Sequence, residues 1–307
     1  MANLRDLSKR KAKFVSGHRA CAGCGAAICA RQIMLACPEN IVVGLATGCL
    51  EVFSTLFPYT SWNCPVIHNA FENVAATMSG VERAYKALKK QGRIKKEMKF
   101  LAIAGDGGTY DIGLQSLSGM LERGHDILYI CYDNEAYSNT GFQRSSATPT
   151  CAETTTEPWG KARRGKMVNR KDLTEIVAAH RIPYVAQTAV GFHTDLMTKV
   201  EKALKIRGPK FINILSPCVL GWGVKPSDTI KVGRLAVESK FWPLYEIENG
   251  VYKINHLPAK KVPLKEFFQL QQRFSHLLEP ENKDLLKRWE EGIERNWQNL
   301  LKKVKCS

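Results

Sequence analysis

Long apolar runs are missing from the sequence, and their absence narrows the classes of protein that it can encode. No run approaches the roughly 18 residues that a membrane-spanning helix requires. The first residues, Met1 to Asp6, lack the apolar segment of a secretion signal. We therefore expect a soluble, cytoplasmic protein without a membrane partner.

Acidic residues are scarce relative to basic ones, 29 against 45, which leaves a net charge of +16. Such a charge could serve nucleic-acid binding. The basic residues, however, are scattered through helices and tails without interleaved aromatic residues, so we do not expect a nucleic-acid partner. Attraction of acidic partners or anionic substrates explains the same charge.

The sequence also lacks a second Cys-x-x-Cys pair to accompany Cys21 and Cys24. Ten cysteines in a chain without an export signal favour metal or cluster chemistry over disulfides. The single pair could be a thioredoxin-like redox motif, half of a zinc site or half of an iron–sulfur site. The polar segment Gly17-His18-Arg19 stands where the thioredoxin motif would have a strand, which makes that interpretation weak.

What is present is a central stretch in which two apolar runs are each followed by polar residues. Phe100–Ala104 predicts a buried strand that leads into Gly105-Asp106-Gly107-Gly108 and then a helix. The turn therefore lies at the N-terminus of a helix, where phosphate groups commonly bind. Ile127–Cys131 predicts a second strand, which leads into Asp133–Gly141. The carboxyl ends of parallel strands form the ligand crevice of an open α/β sheet, so Asp106 and Asn134 are expected to lie side by side. Their oxygens suit Mg²⁺ bound to a diphosphate, although an ordinary strand–helix turn is the alternative.

Two further cysteines follow predicted strands at the same edge of the sheet. Cys49 comes after the run Ile41–Ala46, and Cys218 comes after Phe211–Leu215. With Cys21 and Cys24 they form a quartet that suits either a [4Fe–4S] cluster or a structural zinc ion. The cysteines alone leave both possibilities open.

The motif GDGG…DNEAYSNTG resembles the thiamine-diphosphate motif of the β subunit of pyruvate:ferredoxin oxidoreductases, in the 2-oxoacid:ferredoxin oxidoreductase family. The resemblance covers residues from about 17 to 245. The cysteine quartet also matches the ligands of one [4Fe–4S] cluster in that family. A cluster is preferred to zinc because an electron acceptor has a use beside thiamine diphosphate.

The resemblance implies a role for each matching residue. Asp106, Asn134 and the backbone carbonyl of Ala136 would bind Mg²⁺, while Asn139 and Thr140 would lie over the reactive side of the cofactor as catalytic residues. The other residues expected to bind the cofactor are Gly107, Gly108, Ser138, Cys49, His68 and Asn73. For His68 and Asn73, helix capping and packing are an alternative explanation.

The activity that the resemblance implies is conversion of pyruvate, coenzyme A and oxidised ferredoxin into acetyl-CoA, CO₂ and reduced ferredoxin. Other 2-oxo acids are alternative substrates: 2-oxoisovalerate, oxalate, 2-oxoglutarate or an arylglyoxylate. In the family, the glutamate that activates the cofactor's aminopyrimidine comes from a partner subunit; Glu51 and Glu72 match no such motif here. We therefore expect activity only with partner subunits, one bearing that glutamate and one like a ferredoxin. Rival interpretations are a thiamine-diphosphate decarboxylase without redox function and a zinc-stabilised, basic nucleic-acid-binding protein.

The predicted fold class is α/β, a doubly wound and mostly parallel sheet with helices on both faces, as in thiamine-diphosphate-binding domains. Residues 1–16 are expected to form a mobile or partner-docking arm, residues 17–245 the cofactor and cluster domain, and residues 246–307 an irregular and helical extension. Leu285–Val304 keeps the spacing of an amphipathic helix that packs against the chain or a partner. The basic residues within 161–171 are expected to form a solvated face, or else a dock for coenzyme A or ferredoxin.

Overall fold

A computed structural model describes residues 3–260 and 262–306 and contains one eight-stranded sheet. Its strands are β1 (Ile41–Ala46), β2 (Val66–Asn69), β3 (Lys99–Gly105), β4 (Leu128–Asp133), β5 (Tyr184–Ala189), β6 (Lys210–Leu215), β7 (Tyr245–Glu248) and β8 (Val251–Ile254). They lie in the order β2-β1-β3-β4-β6-β5-β7-β8. The first six strands pair in parallel, and β7 and β8 are added antiparallel at one edge. The predicted mostly parallel α/β sheet is confirmed.

Helices cover both faces of this sheet. They are α1 (Leu4–Leu7), α2 (Gly25–Ala36), α3 (Cys49–Ser54), α4 (Val74–Lys90), α5 (Leu114–Glu122), α6 (Leu173–Ala178), α7 (His193–Lys205), α8 (Val219–Trp222), α9 (Thr229–Glu238), α10 (Leu264–Phe268) and α11 (Lys283–Cys306). One core packs α2 and α7 against the sheet, and the core on the opposite face includes α4, α5 and α11. Because β3, β4 and β6 are buried on both sides, their sequences are nearly continuous apolar runs rather than alternating ones. No helix in the described ranges is both long and apolar enough to cross a membrane.

The strand register brings the polar segments to one edge of the sheet. Gly105 pairs with Tyr132, so Asp106 and Asn134 leave the sheet at neighbouring positions. Asp133 pairs with Leu215, so the segment that leads to Cys218 leaves at the same edge. The chain passes from β1 to β2 on one side and then to β3 on the other side of β1. This reversal of strand order creates a crevice where ligands bind in open α/β sheets.

Several segments differ from the sequence-based expectations. In the N-terminal arm, Leu7 and Phe14 are each only 2% exposed, and Lys13 Nζ donates a hydrogen bond to Cys37 O (3.1 Å), so this part packs against the body. His68 lies in strand β2, so helix capping, the alternative explanation for this residue, does not apply. The expected domain boundary at residue 245 falls at the start of β7, inside the sheet. The packing of the C-terminal helix is confirmed, because its apolar stripe is buried against the sheet and its neighbours.

Candidate active site

Three oxygen atoms face one another where β3 and β4 end. Asp106 follows β3 and is 1% exposed, and Asn134 and Ala136 follow β4 and are buried as well. Asn134 Oδ1 lies 2.7 Å from Ala136 O and 3.1 Å from Asp106 Oδ1. Adjacent ligands of an octahedral Mg²⁺ ion with bonds of 2.0–2.1 Å lie about 2.9 Å apart. The two distances from Asn134 Oδ1 therefore fit adjacent ligands of a magnesium site, and we call these three oxygens the oxygen ring.

The Asn134 amide has a second orientation that fits the same surroundings. Turned by 180°, its NH₂ group donates to Ala136 O, Asp106 Oδ1 and Ser138 Oγ. In the first orientation, Ser138 Oγ instead donates to Asn134 Oδ1 at 2.7 Å. The ring can thus close through hydrogen bonds or through a cation.

The environment of Asp106 favours the cation. Burial, and secondly the charge of Asp133, raise the pKa of Asp106 well above its ordinary value. Its side chain accepts hydrogen bonds from Ser145 Oγ (2.5 Å) and from the backbone N–H of Asn134 (3.3 Å). It forms no ion pair with any lysine, arginine or histidine in the described part of the chain. Because buried carboxylates are normally paired or bound to a metal, this group is suited to a divalent ion.

Gly107 and Gly108 are required by close packing. A Cβ atom on Gly107 would lie 2.3 Å from Tyr137 Cε1, and one on Gly108 would lie 3.0 Å from Phe71 O. The two glycines open a π-helical turn, Gly107–Ile112, which continues into α5. The sequence thus predicted a helix after this turn but not its wider first part. Backbone donation from these glycines to a diphosphate stays a prediction.

Asn139 and Thr140 lie at the exposed tip of a short turn. Tyr137 and Gln143 pair with each other and form its base. Thr140 Oγ1 donates to Gln143 Oε1. Both predicted catalytic residues are therefore accessible to a ligand above the crevice.

His68 and Asn73 border the crevice from the β2 side. His68 is more than half exposed; its Nε2 lies 3.1 Å from Thr47 Oγ1, and its Nδ1 lies 3.2 Å from the buried Glu51 Oε1. Asn73 precedes α4, but its side chain forms no capping hydrogen bond. Its Oδ1 atom is buried and has no partner among the described residues. Helix capping therefore does not account for Asn73.

The structure brings the cysteine quartet together. Cys24 is the N-cap of α2, Cys49 is the first residue of α3, and Cys218 is the N-cap of α8 with its Sγ accepting from Gly221 N at 3.3 Å. The loop that carries Cys21 is held against the Cys218 segment by a hydrogen bond from Gly25 N to Pro217 O (3.3 Å). Three of the four thiols thus lie at helix N-termini, where a negatively charged group is favoured.

The thiols also act on one another electrostatically. Burial raises the pKa of Cys49 to about 12, and Cys218, Cys24 and Cys21 raise it further in that order. Burial raises the pKa of Cys24 too, against two backbone N–H donors that lower it. Within residues 3–260 and 262–306, no three His, Cys, Asp or Glu side chains are grouped so that they could hold a metal ion. The quartet is close, but it is not gathered around a single-ion position.

Hydrogen bonds join residues next to the quartet to residues next to the oxygen ring. Trp222 Nε1, in α8, donates to Asn134 O at 2.8 Å. Leu50 N, next to Cys49, donates to the Tyr132 hydroxyl at 3.3 Å. The two candidate sites are therefore neighbours on the same strand ends.

A group of buried ion pairs, which sequence reasoning missed, lies behind the oxygen ring. Asp133 and Glu135 are fully buried, and Arg170 binds both of them, through Nη2 and Nη1, at 2.7 Å. Arg273 Nη2 binds Glu135 at 2.6 Å, and its guanidinium lies 3.7 Å from the Trp222 ring centroid. The two acids that flank Asn134 were the only available signal, because the arginines lie 35 and 138 residues from Glu135.

Lys166 is not solvated, unlike the basic face that we expected within residues 161–171. It is buried, and Nζ donates to Thr148 O at 2.5 Å. Burial, followed by the charges of Arg144 and Arg170, lowers its pKa to about 8. Lys161 and Arg163 nearby are exposed, as expected.

Replacing Arg273 by methionine is expected to destabilise the fold by about 3 kcal/mol, since it leaves Glu135 buried with one cation instead of two. This value is the lower end of the usual range for a broken buried ion pair, because Arg170 still pairs with Glu135. Urea unfolding of both proteins measures the difference. As a control, Arg163→Met removes a pair with Glu157 from a side chain that is 61% exposed, and it should cost below about 1 kcal/mol. Equal losses in the two variants would contradict the importance of the buried pairs.

The fold and site define a thiamine-diphosphate-binding α/β domain. Residues 46–214 match the family model "Thiamine pyrophosphate enzyme, C-terminal TPP binding domain", a range that contains the whole oxygen ring. A solved 2-oxoglutarate:ferredoxin oxidoreductase from Magnetococcus marinus shares the fold, with a TM-score of 0.56 at 18% identity over 73% of this chain and 79% of that chain.

Similarity to curated proteins narrows the class. The chain is 51% identical over 303 residues to the pyruvate synthase subunit PorB of Thermotoga maritima, covering 97% of this chain and 94% of that protein. It is 56% identical over 270 residues to the PorB subunit of Methanocaldococcus jannaschii, covering 87% and 91%. The ketoisovalerate oxidoreductase subunit VorB of Pyrococcus abyssi is 44% identical over 291 residues, covering 94% and 92%. The chain belongs to the PorB family of pyruvate synthase subunits, and the nucleic-acid-binding alternative is not supported.

Proposed function

We propose that this chain is the thiamine-diphosphate-binding subunit of a pyruvate:ferredoxin oxidoreductase, which forms acetyl-CoA and CO₂ from pyruvate and coenzyme A. The observation that carries the proposal is the oxygen ring beside four grouped thiols, in a member of the PorB family. Pyruvate is preferred as substrate because identity to the PorB proteins is higher than to VorB. A cytoplasmic location goes with the proposal, because free thiols persist in a reducing compartment.

In this proposal, Asp106, Asn134 and Ala136 O hold Mg²⁺, and Gly107 and Gly108 admit the diphosphate close to the backbone. Bound thiamine diphosphate supplies the carbon nucleophile for decarboxylation of a 2-oxo acid. The buried arginines hold the turn in place through the two acids that flank Asn134. The exposed turn tip presents Asn139 and Thr140 to the substrate side, with His68 and Asn73 across the crevice.

We assign the cysteine quartet to a [4Fe–4S] cluster, which would supply an electron acceptor next to the cofactor. A zinc ion would need its four sulfurs within about 3.8 Å of one another, given Zn–S bonds of 2.3 Å. A four-iron cluster instead takes one thiolate on each iron. The position of the quartet beside the thiamine-diphosphate-binding strand ends supports the cluster, because an electron acceptor has a use there.

The isolated chain is expected to be inactive with every 2-oxo acid, because the aminopyrimidine-activating carboxylate belongs to a partner subunit. Reduction of a viologen dye by pyruvate and coenzyme A, measured with and without the co-expressed partners, tests this. The internal candidate is Glu51, which is engaged by Thr55 Oγ1 (2.6 Å) and His68. In the complex, Glu51→Gln should keep most of the kcat. Turnover by the single chain would refute the shared site.

The likeness to VorB makes 2-oxoisovalerate the second candidate substrate. The ratio of kcat/KM for pyruvate and 2-oxoisovalerate in the complex decides between them. A ratio in favour of the branched acid would transfer the proposal to the ketoisovalerate class.

A further inference from the structure

A large cavity lies away from the oxygen ring, between α11, the segment 167–175 and a face of the sheet. Its volume is about 980 Å³, and its floor includes Gln187 from β5 and Asn213 from β6. Volumes of this size are typical of small-molecule sites. The cavity uses no residue of the oxygen ring or the cysteine quartet.

Basic side chains outnumber acidic ones in the lining. Two acidic residues, Asp172 and Glu175, stand against six basic ones. The six are Arg170, Lys171, Lys240, Arg288, Arg295 and Lys303. The three lysines each pair with a carboxylate, and Arg170 pairs with Asp133 and Glu135, so only Arg288 and Arg295 are left without an ion pair among the described residues.

Arg288 and Arg295 differ from those lysines. Both are exposed on α11, and neither forms an ion pair within the portion of the chain that the structure describes. They are seven residues apart, two turns of the helix, so they lie on the same side of it. Two guanidinium groups on one wall of a cavity suit a phosphate-bearing ligand, since their planar donors match phosphate oxygens.

Gly292 indicates open space between these arginines. It lies in the middle of α11, where glycine is a poor helix former. A Cβ atom at this position would meet nothing closer than Arg295 Nη2 at 3.9 Å. Close packing within the described protein therefore does not require glycine here, whereas a ligand against the helix would.

Asn213 supplies a polar group at the floor. Its side chain is 1% exposed; Nδ2 donates to the Tyr110 hydroxyl at 2.8 Å, while Oδ1 has no partner among the described residues. Buried acceptors are nearly always hydrogen-bonded. Because this oxygen is almost completely enclosed, a donor group at the inner end of a ligand would satisfy it after a small rotation of the Asn213 side chain.

We propose that this cavity binds a small phosphorylated molecule of nucleotide size. Its phosphate groups contact Arg288 and Arg295, and a hydroxyl or amino group points toward Asn213. A small molecule fits better than a protein partner because Asn213, which lines the cavity, is a buried side chain rather than one on a flat surface.

Isothermal titration of the full chain with ADP, AMP, inorganic phosphate and adenosine tests the proposal. The protein is first saturated with Mg²⁺ and thiamine diphosphate, so that a diphosphate does not enter the cofactor site. We expect ADP to bind more tightly than AMP or inorganic phosphate, and adenosine not to bind. This order separates the contribution of the phosphates from that of the base.

Two variants locate the binding. Gly292→Leu fills the cavity while improving the helix, so the affinity for ADP should fall at least about tenfold with an unchanged or higher Tm. The double variant Arg288→Glu/Arg295→Glu should lower the affinity for ADP by at least a similar factor. Arg83→Glu, an exposed charge reversal on α4, is the matched control and should leave the affinity unchanged.

Absence of ADP and phosphate binding to the wild type overturns the proposal. ADP binding that is undiminished in Gly292→Leu also overturns the proposal, because this variant keeps its fold while its leucine occupies the cavity. If the arginine variant binds ADP normally but fails to assemble with partner subunits, the face is a subunit contact and the small-ligand site is rejected. If the proposed ligand site is rejected, the proposed oxidoreductase activity is unaffected, since that activity is assayed with pyruvate and does not involve α11.

Discussion

Asp106→Ala is expected to abolish Mg²⁺-dependent binding of thiamine diphosphate, lowering the affinity by at least about 100-fold. The carboxylate is the only charged member of the oxygen ring, and the two remaining oxygens carry no net charge to attract the cation. Isothermal titration with thiamine diphosphate, with and without Mg²⁺, gives the two affinities. The iron content of the protein should stay nearly unchanged.

The same substitution should have a smaller effect on the stability of the cofactor-free protein. Because burial disfavours the charged form of Asp106, removing it offsets the loss of the hydrogen bonds from Ser145 and Asn134, so the free energy of unfolding should change little. The matched control is Asp126→Asn, whose carboxylate pairs with Lys210 at the opposite end of the strands. Wild-type affinity in Asp106→Ala would remove this residue from the site, whereas reduced affinity in both variants would point to a general loss of structure.

Cys218→Ser is expected to lower the iron content from about four per chain to less than one and to end pyruvate-dependent electron transfer in the complex. A serine oxygen is a poor ligand for cluster iron, and the Cys218 thiol is one of only four in the group. Cys49→Ser should behave in the same way. Iron and acid-labile sulfide assays on anaerobically purified protein measure the loss.

Cys306→Ser is the control, because this thiol is exposed at the end of α11, far along the chain from the quartet. It should retain full iron content and activity. One zinc per chain in the wild type, or full iron in Cys218→Ser, would contradict the cluster assignment. If the protein contained neither iron nor zinc, it would be a thiamine-dependent enzyme without this redox centre.

The central part of the fold could be predicted because its signals are local. The runs before Gly105 and Asp133 are apolar throughout, as strands buried on both faces must be, and each ends in polar residues that mark its tip. Cys49 and Cys218 could be added to the site by the same reasoning, since each follows such a run. Parallel strands then bring distant segments of the chain to one edge.

The remainder depends on contacts that have no local pattern. Strand β2 has four residues and is not apolar throughout, so no local pattern marks it as a strand. The arginine at 273 reaches Glu135 only because the C-terminal segment folds back over α8, and no spacing rule connects the two. Phe14 resembles a surface residue in a basic arm until Trp62 packs against it, with ring centroids 5.0 Å apart.

The hydrogen bond between Trp222 and Asn134 has a thermodynamic consequence for how such an enzyme matures. A ligand that orders the turn around Asn134 also restrains helix α8, which Cys218 caps. In the same way, a group that orders α8 restrains the turn around Asn134. Two binding events that share an ordering cost favour each other, and linkage requires that each change the other's equilibrium by the same factor. Binding of iron and binding of thiamine diphosphate would then be cooperative: each would raise the affinity for the other by the same factor, while the iron content at saturation would stay nearly the same.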